Sequence, residues 1–238
     1  MSNDSAESAL GLIPEITVQR LFDERHETLH LEVLNPDIGL DRPVSNPDLS
    51  SPGIALTGYT ERFASDRIQV FGETEIAYLR GLTSEERRER VKGVFSFGIP
   101  VVFVTKGLEL PDGLLEVAAE CSIPVLRSDL STKDFYRHIK PYLDAVLAPQ
   151  TNVHGSLADV YGVGLLFVGD SGVGKSECVL DLVERGHRLV ADDHIIVSRR
   201  GPDILLGQGH QLQAHHMEIR GLGIIDIRAL FGIHATRQ

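Results

Sequence analysis

The feature that most constrains the fold is a glycine-rich loop that follows a short apolar run. Residues 165–168 are Leu-Leu-Phe-Val, a composition typical of a buried strand, and residues 169–176 continue as Gly-Asp-Ser-Gly-Val-Gly-Lys-Ser. In such a loop the glycines let backbone N–H groups turn toward a phosphate, the lysine adds a positive charge, and the last serine hydroxyl is a ligand for Mg²⁺. The residues predicted to bind nucleotide phosphates are Gly169, Asp170, Ser171, Gly172, Val173, Gly174, Lys175 and Ser176.

The composition indicates a protein of the reducing cytoplasm. The 238 residues suffice for two modest domains, and the two cysteines, Cys121 and Cys178, indicate neither a disulfide framework nor a zinc ribbon. A formal net charge of −11 disfavours general attraction to nucleic acid. Because no apolar run approaches about 18 residues, we expect no membrane span and a soluble protein.

The part of the chain before the loop predicts a small parallel α/β domain. Strands are expected at residues 29–34, 68–71, 100–104 and 124–126, and helices at 17–25, 74–82, 112–121 and 132–147. A further helix begins at Ser84, because Thr83 and Glu86 have the spacing of a capping box. Strands alternating with helices indicate a parallel sheet. The break at residues 148–152 predicts two domains, residues 1–147 and, at residues 148–238, a domain that contains the phosphate loop and binds nucleotide.

Two acidic residues after the loop are candidates for proton transfer. Asp192 and Asp193 are expected at the exit of a strand, with their side chains on opposite faces, so that at most one serves the reacting centre directly. One carboxylate would accept a proton from an attacking hydroxyl, and the other would hold metal-bound water or a turn. An ordinary solvated Asp-Asp turn is the alternative interpretation.

Two more residues are candidates whose roles the pattern leaves open. His154 is either a partner that tunes a carboxylate or an ordinary loop or capping residue before Gly155. Glu218 precedes a glycine-rich apolar stretch and is a candidate Mg²⁺ ligand opposite Ser176, since Mg²⁺ is usually held by one or two carboxylates plus phosphates. The alternative for that stretch is a turn between strands.

These motifs together resemble the bacterial HPr kinase/phosphorylase family. The resemblance extends from about Val18 almost to the end of the chain and includes residues 154–155, 159–164, 169–177, 185–193 and 218–227, with shorter matches upstream at residues 42–43, 48–49, 52–54, 58–59 and 124–128. Residues 218–227 are similar to the signature sequence of that family.

The resemblance implies a specific activity and specific roles. It implies a bifunctional enzyme of carbon-catabolite regulation that phosphorylates a serine of the phosphocarrier HPr with ATP or pyrophosphate and removes the phosphate with inorganic phosphate. Asp193 would be the general base of phosphorylation and the general acid of the reverse reaction. His154 and Lys175 would be active-site partners, and Ser176 and Glu218 would hold Mg²⁺. A cytoplasmic hexamer is implied as well.

The resemblance also implies a longer C-terminal part than this chain has. That part holds an active-site arginine, a loop tied to dephosphorylation and helices that bind HPr, so the chain is expected to be a C-terminally truncated member. The alternative hypothesis is a nucleotide-binding regulatory or inactive remnant. A third interpretation, a small-molecule kinase or GTPase, is disfavoured in its GTPase form because no Asn-Lys-x-Asp motif follows the loop.

Overall fold

The computed structural model describes residues 14–201, 203–209 and 215–237, which fall into two compact units. The N-terminal unit comprises residues 14–147 and the C-terminal unit comprises the described residues from 148 onward. Within the described part of the chain, no helix is both long and apolar enough to cross a membrane.

The N-terminal unit alternates strands and helices along most of its length. Its elements in chain order are β1 (Ile16–Thr17), α1 (Val18–Leu29), β2 (Leu31–Val33), β3 (Pro43–Val44), β4 (Leu49–Ser50), α2 (Gly53–Leu56), β5 (Ile68–Phe71), α3 (Glu73–Arg80), α4 (Ser84–Phe95), β6 (Val102–Val104), α5 (Leu114–Glu120), β7 (Val125–Ser128) and α6 (Thr132–Val146). The helices and strands predicted between residues 68 and 147 are therefore confirmed, with small shifts at their ends.

The sheet of this unit is covered by helices on both faces. Its strand order is β2-β7-β6-β5-β4, and β4 to β7 are parallel while the edge strand β2 is antiparallel. Alternate residues of β6 enter different cores: Val102 and Val104 pack with α4 and α5, whereas Phe103 packs with α1 and α6. Burial on both faces explains why β6 is the continuous apolar run Val-Phe-Val.

The capping box at the start of α4 is confirmed. The Thr83 hydroxyl accepts a hydrogen bond from the Glu86 N–H, and the Glu86 carboxylate accepts one from the Thr83 N–H at 3.0 Å. These two contacts satisfy backbone donors that a helix start leaves unpaired.

The C-terminal unit is built on long antiparallel strands. Its elements are β8 (Gln150–Val160), β9 (Val163–Phe167), α7 (Lys175–Glu184), β10 (Arg188–Arg200), β11 (Ile204–Gly209), β12 (His216–Ile219), β13 (Gly223–Asp226) and α8 (Ile227–Phe231). The main sheet has the order β11-β10-β8-β9 with antiparallel neighbours, and β12 and β13 form a separate hairpin. The apolar face of α7, with Val179 and Val183, packs on Ala158 and Leu189.

A buried carboxylate ties the end of the chain to this sheet. Asp159 on β8 accepts hydrogen bonds from Arg188 at 2.6 Å and from Arg237 at 2.5 Å, and from the Gly162 N–H at 2.7 Å. Burial alone would raise the pKa of Asp159, but these hydrogen bonds and the two positive charges together lower that pKa below its usual value.

Candidate active site

The predicted phosphate loop connects a strand to a helix in the C-terminal unit. β9 ends at Phe167, and α7 begins at Lys175 after Gly174, whose φ of +100° lies in the left-handed region that favours glycine. The Lys175 ammonium donates hydrogen bonds of 3.0 Å to the carbonyls of Gly169 and Asp170. The start of a helix is thus brought to the mouth of the loop, where backbone N–H groups and the helix dipole favour an anion.

A cavity of about 290 Å³ lies at this loop. It is lined by most of the residues predicted to form the site. They come from the glycine-rich loop and from four helices or strands, and they are His154, Ser171, Gly172, Gly174, Lys175, Ser176, Asp193 and Glu218. Gly169, Asp170 and Val173 belong to the loop but are not among the residues that line the cavity. The structure therefore brings the loop, the acidic pair, the histidine and the glutamate together.

The two aspartates differ from the prediction in two respects. They lie inside β10 and not at the exit of a strand, and both line the cavity, so the expectation that they face opposite sides was wrong. The physical reason lies in the backbone: Asp193 has a φ of +71°, and this left-handed residue breaks the regular alternation of side chains along an extended strand. Aspartate tolerates this conformation better than most residues, and such strain is frequent at functional sites.

Asp192 connects the loop to the hairpin. Its Oδ1 accepts a hydrogen bond of 2.5 Å from the Ser156 hydroxyl, and the Ser176 hydroxyl lies 3.0 and 3.1 Å from its two carboxylate oxygens. Its Oδ2 also accepts a hydrogen bond of 3.2 Å from the Glu218 N–H. Although Asp192 is only 8% exposed, no Lys, Arg or His in the described part of the chain forms an ion pair with it. Hydroxyl and amide partners do not neutralise the negative charge of a buried carboxylate, so this charge is left without a positive counterpart.

Asp193 contacts two imidazoles. The Nδ1 atom of His154 lies 2.8 Å from its Oδ1, and the Nε2 atom of His194 lies 3.4 Å from its Oδ2. His154 stands inside β8, directly opposite His194 in the antiparallel register, so the interpretation of His154 as a loop or capping residue was wrong. The carboxylate remains about half exposed and open to the cavity.

The glycine between His154 and Ser156 permits a close approach of strands. A Cβ atom on Gly155 would lie only 2.4 Å from the carbonyl oxygen of Phe167 on β9. Because β9 leads directly into the loop, this tight packing sets the distance between the loop and the strand that carries His154.

The hairpin of β12 and β13 contributes Glu218 and a basic residue, Arg220. The Arg220 guanidinium lies over the loop, where a Cβ on Gly172 would be 2.6 Å from its Nη1 atom. The stretch after Glu218 takes the form that the sequence analysis gave as the alternative, since residues 220–222 form a turn between two strands.

Sequence reasoning missed three residues of the site, Ser156, His194 and Arg220, and it missed the bridging role of Asp192. Each depends on register or on a turn. Ser156 pairs with Asp192, and His154 with His194, only because β8 and β10 are antiparallel in one particular register. A period-2 pattern identifies a strand but not its partner. The one available signal in the sequence is that Ser156 and His194 lie within two residues of His154 and Asp193, which the sequence analysis had already selected.

The strand, the glycine-rich loop and the helix define an α/β protein with the local arrangement typical of phosphate-binding loops. Two family models match this chain: "HPr Serine kinase N terminus" over residues 16–143 and "HPr Serine kinase C-terminal domain" over residues 145–238. The chain belongs to the HPr serine kinase family.

Curated relatives agree with this assignment. The HPr kinase/phosphorylase of Bacillus cereus strain AH820 is 44% identical over 226 residues, which cover 95% of this chain and 72% of the relative. The protein of the same description from Bacillus anthracis strain A0248 is also 44% identical with the same coverage. A solved structure, the Hpr(Ser) kinase/phosphatase from Coxiella burnetii, shares 34% identity over 37% of this chain and 58% of that chain, with a TM-score of 0.36.

Proposed function

We propose that this protein is a bifunctional serine kinase/phosphorylase that acts on the phosphocarrier protein HPr. Its family membership and the descriptions of its relatives support this substrate. The observation that carries the proposal is the single cavity in which the glycine-rich loop faces the His154–Asp193 pair. Such a cavity would bind a phosphate donor next to a carboxylate that accepts the proton of the attacking hydroxyl.

In the phosphorylation direction, Asp193 acts as the general base. It accepts the proton of the substrate serine as the serine oxygen bonds to the terminal phosphorus of ATP or pyrophosphate and the bond to the leaving phosphate group breaks. His154, 2.8 Å from Asp193, orients the carboxylate. Lys175 and the N–H groups of residues 169–176 hold the phosphates and offset the charge that develops on them.

In the reverse direction, the same carboxyl group acts as the general acid. Inorganic phosphate attacks the phosphoserine, pyrophosphate forms, and the serine oxygen takes its proton from Asp193. The two directions thus require opposite protonation states of one side chain, which is why its neighbours matter for the balance between them.

Ser176 and Glu218 are proposed to hold Mg²⁺, and the donor set of the cavity suits this ion. Mg²⁺ prefers oxygen ligands and is usually held by one or two carboxylates plus phosphates. Asp192 joins the Ser176 hydroxyl to the Glu218 backbone and has no cationic partner in the described part of the chain, so a cation beside it would compensate a buried charge. When bound, the ion offsets negative charge on the phosphates.

The test is a phosphorylation assay in both directions. The protein is incubated with ATP, Mg²⁺ and HPr, and phosphoserine is measured by mass spectrometry; phosphorylated HPr with inorganic phosphate should then yield pyrophosphate. Lys175→Met should lower kcat/KM at least about 100-fold, because it removes a cation from the phosphates. Lys133→Met, an exposed lysine on α6 of the N-terminal unit, is the matched control and should behave like the wild type.

Two outcomes would contradict the proposal. Nucleotide binding without any phosphoserine would instead support a regulatory or inactive nucleotide-binding protein. Transfer to water or a small molecule, with HPr unchanged, would support a different kinase. A cytoplasmic hexamer that acts in carbon-catabolite regulation is part of the same proposal, and sedimentation of the purified protein tests its oligomeric part.

A further inference from the structure

The two carboxylate oxygens of Asp193 are divided between two histidines. Oδ1 lies 2.8 Å from His154 on β8, and Oδ2 lies 3.4 Å from His194, the next residue on β10. Neighbouring residues on a regular strand point to opposite faces, so a contact between Asp193 and His194 is unexpected. The left-handed φ of +71° at Asp193 makes it possible.

The imidazole rings of His154 and His194 lie on either side of the Asp193 carboxylate, one at each oxygen. His154 and His194 are directly opposite in the register of β8 and β10, and their ring centroids are 6.3 Å apart with an interplanar angle of 66°. An ionised carboxylate accepts about four hydrogen bonds, so one contact at each oxygen leaves lone pairs for a substrate hydroxyl. Contacts at both oxygens also restrict rotation of the carboxylate about its last bond.

We propose that His194 is a second positioning residue for Asp193 and that its charge biases the enzyme toward phosphorylation at acidic pH. The inference rests on the proposed function. Imidazoles gain a proton between pH 8 and pH 5. A positive His194 favours the ionised carboxylate, which serves as the base of phosphorylation, and disfavours the protonated form that dephosphorylation requires.

Other charged groups line the cavity onto which this carboxylate opens. They line the cavity from β8, α7, β10 and the hairpin, and they are His154, Lys175, Glu177, Asp192, Glu218 and Arg220. All six remain in a variant of His194, so a comparison of variants isolates the contribution of that one side chain.

The experiment measures both directions, with and without a charge at residue 194. The ratio of the dephosphorylation rate to the phosphorylation rate is determined at pH 6 and at pH 8.5 for the full chain. His194→Asn should raise this ratio about threefold at pH 6, the scale expected for a half-exposed ion pair, and change it little at pH 8.5. His194→Lys, charged at both pH values, should keep the wild-type ratio at pH 6 and lower it about threefold at pH 8.5.

The control is an exposed histidine–aspartate pair on the other unit. His30 Nδ1 lies 2.7 Å from Asp129 Oδ1 on the N-terminal unit, so His30→Asn and His30→Lys should both leave the ratio unchanged. The inference is overturned if His194→Asn has the wild-type ratio at pH 6, or if the Asn and Lys variants change the ratio equally at both pH values, as a purely structural role would. A wild-type protein that forms no phosphoserine refutes the proposed function instead.

Discussion

The two units of this protein differ in where some of their buried polar groups find hydrogen-bond partners. In the N-terminal unit such groups satisfy nearby backbone: Gln69, fully buried on β5, donates to the carbonyls of Ala64 and Arg67, and Asn35 bonds to Ile123 and Val125. In the C-terminal unit Ser156, Ser176 and Asp192 instead bond to one another beside a cavity, whereas Asp159 finds its partners outside it. Polar groups satisfied by backbone stabilise a fold, whereas polar groups that face a shared space leave capacity for a ligand.

The two histidine–aspartate pairs make this comparison specific. The pairs His30–Asp129 and His154–Asp193 have almost equal separations, 2.7 and 2.8 Å, and all four side chains are half or more exposed. Both pairs contain a residue with left-handed backbone, His30 with a φ of +49° and Asp193 with a φ of +71°, but only the second pair lies beside a glycine-rich loop and lines the cavity. A histidine–aspartate pair alone therefore does not make a site; the neighbouring loop and its cavity do.

The largest expected effect comes from removing the charge of the paired carboxylates. Asp193→Asn should lower the rates of phosphorylation and dephosphorylation by about 10²- to 10⁴-fold, because it removes the group that transfers the proton. Nucleotide affinity, measured by calorimetry, should stay close to that of the wild type, since Asp193 does not belong to the loop.

Asp129→Asn, in the surface pair, is the control and should leave both rates unchanged. Equal losses in the two variants would break the comparison between the pairs. Loss of nucleotide binding in Asp193→Asn would contradict the role assigned to that carboxylate.

A smaller loss is expected at the neighbouring aspartate. Asp192→Asn should reduce kcat/KM for phosphorylation about 10- to 100-fold and raise the Mg²⁺ concentration needed for half-maximal rate, because it weakens the contacts that position Ser176 and Glu218. Asp181→Asn, an exposed residue of α7, is the matched control. An unchanged Mg²⁺ dependence in Asp192→Asn would mean that the bridge between loop and hairpin does not organise the metal site.

The sequence predicted well what is local in this chain. The helix start at Thr83 depends on two side chains three residues apart, and the strand at residues 68–71, Ile-Gln-Val-Phe, has three apolar residues out of four. Both patterns depend only on residues that are close together in the chain, and the structure confirms both predictions. The glycine-rich loop is local in the same way, since its strand, turn and helix follow one another directly, but the expected burial of the strand was wrong, because Leu165, Leu166 and Val168 are exposed.

What the sequence could not predict depends on pairing and on one backbone angle. Alternation places Asp192 and Asp193 on opposite faces, and only the positive φ of Asp193 brings both to the cavity. Likewise, no pattern in the chain indicates that Ser156 lies opposite Asp192. Strand register and strained backbone arise from tertiary packing, such as the approach of Gly155 to Phe167, and a single sequence carries little information about them.

In the N-terminal unit, mutation of a buried polar residue should affect stability alone. Asn35→Ala removes two hydrogen bonds, to the Ile123 carbonyl at 2.9 Å and from the Val125 N–H at 2.8 Å, and leaves both groups buried. We expect a loss of about 2–3 kcal/mol in the free energy of unfolding, measured with urea, and an unchanged kcat for the folded protein. Asn46→Ala, at a less buried position, should lower the free energy of unfolding by a smaller amount. A fall in kcat for Asn35→Ala would contradict a purely structural role for this residue.

A carboxylate of the C-terminal unit outside the cavity should also act through stability, but with pH dependence. The pKa of Asp159 is lower in the folded protein than its usual value of 3.8, so its stabilising contribution is complete at neutral pH and is lost as the pH falls below about 4. Asp159→Asn should therefore cost about 2 kcal/mol at pH 7, and the difference from the wild type should shrink toward pH 3. A constant difference across this range would show that the ion pairs with Arg188 and Arg237 contribute little.

The smallest effect is expected at the capping box of α4, far along the chain from any residue of the cavity. Thr83→Ala removes the side-chain oxygen that accepts the Glu86 N–H, and should lower the free energy of unfolding by about 1 kcal/mol. Thr83→Ser retains a hydroxyl and should recover most of that loss, which separates the cap from the packing of the threonine methyl group. Because a helix start in the N-terminal unit supplies no group to the cavity, kcat/KM should stay at the wild-type value in both variants. A change in turnover without a change in stability would show that this unit influences the reaction, and the division between a structural and a chemical use of polar groups would then have to be abandoned.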